Sequence, residues 1–155
     1  MLPSVTFATS RIAATLLTKA DKRQQLLQAH DILITMKGTV GKVALVKPQA
    51  TTWTAGLACL MLRTDAAHLD ARVLFTFLKS AAGQGLLRQI VSAGSTVPLI
   101  QLRDLVKLPV PIPPLVEQQA IIANFERLVD LEQQVVHLRE QQAALAGNLW
   151  THPPA

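Results

Sequence analysis

At 155 residues, half of them apolar, with fifteen Lys and Arg against ten Asp and Glu and a mean hydropathy of +0.30, the chain has room for one domain and an appendage. The lone Cys59 excludes an intramolecular disulfide, no apolar run approaches the ~18–20 residues of a spanning helix, and no charged stretch followed by a long apolar core opens the chain. A signal peptide is therefore not expected, the cytoplasm is the expected setting, and the high hydropathy points to buried interfaces beyond the chain's own core.

From Ile12 to Ala29, Leu16, Leu17, Ala20, Leu26 and Leu27 supply an apolar side and Lys19, Lys22 and Arg23 a wet one, the pattern of a helix. Asp31-Ile-Leu-Ile-Thr-Met36 and Lys42-Val-Ala-Leu-Val46 then flank Lys37-Gly-Thr-Val-Gly41, which predicts a β-hairpin. Glycine suits such a tight reversal because positive φ is open to it and closed to branched residues. Thr54 to Arg63 reads as a buried strand, although its length leaves a helix open. Leu69, Val73, Leu74, Phe77 and Leu78 fall at helical spacing; Gly83 and Gly85 interrupt the pattern, and Leu86 to Val91 adds a turn or two. Gly94-Ser95-Thr96 reads as a loop, and Val97 to Val110 as one or two short strands around Arg103-Asp104.

Four prolines in the six residues Pro109 to Pro114 should end any ladder, because proline cannot donate, and Pro113 and Pro114 suit the first positions of a helix. From about Leu115 to Leu149 one seam takes Ile121, Asn124, Leu128, Leu131, Val135, Leu138, Gln142, Leu145 and Leu149, apolar at seven of nine positions with alternating spacings of three and four. That is a packed coiled-coil seam, with Asn124 and Gln142 placed to set register at some cost in stability. Ile122, Phe125, Val129 and Val136 form a second stripe. The seam is expected to meet another helix, a second copy of the chain or a different partner; folding back onto the chain's own body is the alternative. The organisation is then a body over residues 1–112 and a helical segment over 113–150. The expected fold class is α/β (α+β), a small mixed sheet with a hairpin and packed helices, followed by the long helix.

Charge divides along the same line. Thirteen Lys and Arg face five Asp up to Lys107, whereas the tail carries Glu117, Glu126, Asp130, Glu132 and Glu140 against Arg127 and Arg139. A basic body on an acidic stalk fits a polyanion partner for the one and a protein partner for the other.

Catalytic signatures are missing. Gly38-Thr-Val-Gly-Lys42 fails as a phosphate loop, which needs four residues between its glycines and a Ser or Thr after the lysine; here Val43 follows. The better reading is a hairpin tip whose backbone N–H groups and lysines touch a nucleic-acid backbone, or else a structural turn. His30, His68, His137 and His152 have no metal-ligand spacing, and with one cysteine no metal site is expected. Ser80, Ser92 and Ser95 lack a nucleophile motif, and Asp31 and Asp104 read as loop or strand-end carboxylates, so no catalytic residue is assigned.

Asp31 to Val46 closely resembles the GDILI…GxxGKxxxV hairpin of the specificity subunits of type I restriction–modification systems. Phe77-Leu-Lys-Ser80 with Gly83 and Gln84 is similar to a second motif of that family. Gly94-Ser-Thr96 and Leu105 through Gln119 are similar to its junction, and the following helix to its spacer helix. His30 stands where the family often has glycine. The resemblance implies α/β target recognition domains that each read a few base pairs of double-stranded DNA, and spacer helices that pair as an antiparallel coiled coil and dock an adenine DNA methyltransferase (modification) subunit. It implies no cofactor in this chain, with S-adenosylmethionine on the methyltransferase and ATP on the restriction and translocation subunit. Typical members carry two recognition domains and two helices; this chain has one of each, with a body expected to lack the family's early strands. Half-sized members would reach the same layout as homodimers, with a symmetric bipartite target.

The DNA-contact candidates follow from residue type and place: Lys37, Gly38, Thr39, Lys42, Lys79 and Arg88 for the backbone, and Gln84, Ser95 and Thr96 for base edges. The partner-interface candidates are Ile121, Leu128, Leu131, Val135, Leu138 and Leu145. The first expectation is a non-catalytic subunit that selects the DNA target. A module that only docks a partner through its helix is the second, and a small enzyme with a cleft in the body the third.

Overall fold

The computed structural model describes residues 8–11, 17–21, 26–50, 53–92 and 97–151. The strands are β1 (Ala8–Arg11), β2 (Leu17–Asp21), β3 (Ile32–Thr35), β4 (Val43–Leu45), β5 (Cys59–Thr64) and β6 (Pro109–Ile112). The α-helices are α1 (Ala71–Lys79), α2 (Ala81–Gln89), α3 (Leu102–Leu105) and α4 (Leu115–Thr151), with one turn of 3-10 helix at Pro48–Ala50. The chain divides into two compact units, Met1–Gln119 and Ala120–Ala155.

The first unit holds a four-stranded sheet in the order β2-β5-β3-β4 and a separate pair, β1-β6. The expected small sheet is present, but its pairings are all antiparallel rather than mixed. Among the described residues no α-helix lies between any two of its strands in the chain, and so none supplies a crossover for a parallel pair. The hairpin is as expected, with Ile32 opposite Leu45, Leu33 opposite Ala44 and Ile34 opposite Val43. Strand alternation then sorts the core. Ile32, Ile34, Leu60 and Leu62 share one face and are fully buried; Leu33 and Met61 share the other, packed with Leu27, Val46 and Ala55.

Two expectations fail at the amino end. Leu17–Asp21 is a strand on the sheet edge beside β5, not part of a helix, and with β1 it supplies early strands the body was expected to lack. Long-range pairing with a buried strand outweighs a local helical pattern that no packed helical face supports. The rest of the expected helix before Leu26 lies outside the described residues, and Leu26–Ala29 is non-helical.

After β5, Asp70 caps α1 by accepting from the Arg72 N–H at 2.8 Å, and α1 buries Ala71, Val73, Leu74 and Leu78. The break expected at Gly83 and Gly85 falls instead at Ser80, which ends α1 and caps α2. Its hydroxyl donates to Phe77 C=O (2.6 Å) and accepts from Gly83 N–H (3.2 Å). The Arg103-Asp104 region, read as strand, is helical in α3.

The prolines do not end the ladder. β6 is Pro109-Val-Pro-Ile112 paired with β1, Arg11 opposite Pro109 and Thr9 opposite Pro111. Prolines at alternate positions remove donors along one edge only, leaving Val110 and Ile112 to serve the single neighbour. Pro114 then starts α4, its C=O accepting from Glu117 N–H (2.9 Å) and Gln118 N–H (3.0 Å). Gln118 is buried and fully occupied: Oε1 accepts from Asp70 N–H at 2.9 Å, and Nε2 donates to His68 C=O at 2.9 Å and Pro113 C=O at 3.0 Å. The first turn of α4 is thereby held to the start of α1 and belongs to the first unit.

The second unit is the remainder of α4. The helix is unbroken over 37 residues, about 55 Å at 1.5 Å per residue. Leu128, Leu131, Val135, Leu138 and Leu145 are all exposed, from 46% at Val135 to 68% at Leu145, while Ile121 is half-buried. No helix among the described residues is long and apolar enough to cross a membrane.

Candidate nucleic-acid interface

The hairpin tip is built from Thr35 upward. A backbone bond crosses the neck, Thr35 N–H donating to Lys42 C=O at 3.0 Å. The Thr35 hydroxyl donates to Thr39 C=O and accepts from Lys42 N–H (3.0 Å), so one side chain ties both arms of the loop. Gly38 and Gly41 turn the chain at φ of 80° and 81°, where a side chain would be strained.

The tip is braced on three sides. Met36 N–H donates to Ala58 C=O at 2.8 Å, and Met36 C=O accepts from Ile100 N–H at 2.9 Å. Lys37 forms a β-bridge with Leu99. Gly41 is buried against Leu87 of α2, and its C=O accepts from Gln84 Nε2 at 3.2 Å. Gln84 Nε2 also donates to Leu78 C=O (2.8 Å), joining α1, α2 and the tip.

On this frame Lys37, Thr39 and Lys42 are exposed, and neither lysine has an ion-pair partner among the described residues. Lys79 and Arg88 are also exposed, in the last turns of α1 and α2, where a cation complements the helix dipole whether or not it meets DNA. Gln84 is partly buried with its amide donors committed, which leaves its carbonyl oxygen for any further contact. Ser95 and Thr96 lie outside the described residues; on either side, Ser92 N–H donates to Leu99 C=O at 3.0 Å, and Leu99 is the residue bridged to Lys37.

Three structural residues went unassigned in the sequence. Thr35 is one, and Gln118 another, within a quoted motif but without a role. The third is Arg63, whose fork meets the buried Asp31 carboxylate at 2.7 and 2.6 Å, while Gln28 N–H donates to the same carboxylate at 2.7 Å. Hydrogen bonding to Asp31 raises the Arg63 pKa further, and the pair joins the start of β3 to β5. The acidic residue before a β-branched strand was the only local signal. His30, at φ 68°, is left-handed, a conformation that glycine adopts at less cost.

An α/β body carrying a braced, lysine-bearing turn, followed by a long helix with exposed leucines, defines the class by its fold. The chain belongs to a family within that class, since residues 5–141 match the type I restriction modification DNA specificity domain. Its fold is similar to that of the type I restriction-modification system S subunit from M. genitalium, with a TM-score of 0.70 at 20% identity over 97% of this chain and 47% of that one. It is also similar to the HsdS subunit from Thermoanaerobacter tengcongensis, at 0.58 and 23% identity over 84% of this chain and 36% of the other. A chain from work on complex assembly and conformational transition of the type I R-M system matches at 0.58 and 23%, over 87% and 37%. The sequence thus spans about half or less of each of these relatives. No curated protein matches it.

Proposed function

We propose that this chain is a DNA-reading specificity module that brings a type I methyltransferase and restriction complex to its target in the cytoplasm. The observation that carries the reading is the hairpin tip, two exposed lysines with no ion-pair partner among the described residues, on a turn held by Thr35, Gln84 and the Ile100 segment, in a chain of the DNA specificity family. A braced turn loses little conformational freedom on binding, and its lysines neutralise phosphates without reading sequence. Lys79 and Arg88 would extend the backbone contact, with Gln84, Ser95 and Thr96 nearest the bases. The exposed seam of α4 would pair with another such helix and dock the adenine methyltransferase. The chain itself would catalyse nothing, with S-adenosylmethionine and ATP used on the methyltransferase and restriction subunits.

The test is duplex binding across a salt series. Lys37→Ala with Lys42→Ala is expected to lower affinity for every sequence alike and to reduce the slope of log K against log salt by about two, one per lost phosphate contact. An unchanged slope removes the tip from the interface. The exposed seam also favours a docking-only role; a stable homodimer or methyltransferase complex that ignores DNA at low salt would select that reading.

A further inference from the structure

A cleft of about 490 Å³ opens between the end of α2 and α3. Gln89, Gln101, Arg103, Asp104 and Lys107 line it above the buried Leu108. Arg103 is 72% exposed, and its only ion pair among the described residues is a long one, 3.8 Å from Nε to the Asp104 carboxylate. The side chains of Gln89, Gln101 and Lys107 have no partner among the described residues. Two cations and two amides thus offer N–H donors against one carboxylate. An open, polar rim of this kind suits an extended polyanion better than a small ligand, which a pocket would enclose. The cleft is tied to the hairpin tip through the backbone: Val91 in the cleft wall bridges Ile100, and the neighbouring Leu99 bridges Lys37.

We propose that this cleft is a second backbone contact for the same DNA duplex, holding a phosphate between Arg103 and Lys107 with Gln89 and Gln101 as further donors. The inference rests on the DNA-reading function above. It adds residues that neither the motifs nor the turn geometry singled out.

The test uses the full chain and a labelled random-sequence duplex, because phosphate contacts are sequence-independent. Arg103→Ala with Lys107→Ala is expected to reduce the salt slope by about one, for the single phosphate held between them, while circular dichroism stays unchanged, since both side chains are exposed. Asp104→Asn, which removes the one opposing charge without changing shape, is expected to tighten binding. Lys107 in the unaltered chain is expected to be protected from acetylation by bound duplex. If the unaltered chain binds the duplex but the double variant keeps its slope and Lys107 stays reactive, the cleft proposal is overturned and the DNA-reading function stands. If the unaltered chain fails to bind duplex at any salt, both fall together.

Discussion

Gly83 and His30 show how one backbone position can outweigh ordinary propensity. A Cβ on Gly83 would sit 2.1 Å from Phe77 O and 2.7 Å from Leu78 Cα, both backbone atoms at the α1–α2 elbow. Alanine in a helix gains about 1 kcal/mol over glycine, but here the elbow must open, at a cost of about 3 kcal/mol or more. Gly83→Ala is therefore expected to destabilise the protein by about 2 kcal/mol or more in urea unfolding, and to displace Gln84 from the hairpin. His30 runs the other way. Its left-handed conformation costs about 1–2 kcal/mol for a residue with a Cβ, against about 0.5–1 kcal/mol of extra chain entropy lost by glycine. His30→Gly is expected to raise stability by about 0.5–1 kcal/mol, measured in the same titration, and to leave the N–H bond to Val46 C=O in place.

Among the elements, the hairpin and α4 do different work. The hairpin is legible in sequence because turn chemistry is local: two glycines stand between two β-branched runs. Its rigidity is not legible, because the bracing comes from Gln84, Ala58 and Ile100, all distant in the chain. The seam of α4 is legible for the same local reason, a repeat of three and four. Its leucines are exposed, and covering each in a helix pair would contribute about 1.5–3 kcal/mol. Leu131→Lys with Leu138→Lys is expected to abolish self-association or methyltransferase docking in sedimentation velocity. Helix content should hold, since Lys and Leu have similar helix propensities. Association unchanged by both lysines would place the pairing surface elsewhere.

For the whole molecule, the acid limb of stability has an identifiable source. Hydrogen bonding from the Arg72 side chain, opposed by partial burial, holds Asp70 below the usual carboxylate range. A carboxylate whose pKa is depressed on folding contributes its full stabilisation above its unfolded value, about 3.9, and loses it as pH falls through the folded value. Stability is therefore expected to be flat above about pH 5 with respect to this group, and to decline below about pH 4. Asp70→Asn keeps a good helix cap and removes the charge, so its acid limb should be shallower than that of the unaltered chain. An identical decline from pH 4 to 2 would show that Asp70 is not a source of it.

Patterns of two, of three and four, and of glycine at a turn need only neighbouring residues. They were enough to read the β3–β4 hairpin, α1, the start of α4 after Pro114 and the apolar repeat along it. Residues 17–21 deceived because their helical spacing had no partner in view, whereas β5 offered a ladder, broken in register only between Leu17 and Lys19. The proline segment of β6 became a strand only because β1 lies on the edge served by Val110 and Ile112, which keep their N–H donors. Arg63 reaches Asp31 across 32 residues, and Gln118 reaches Asp70 across 48. Such contacts exist only once the folded chain has brought distant segments together. Local periodicity therefore carried the elements and short motifs the family likeness, while the braced tip, the cleft and the buried ion pair emerged from packing.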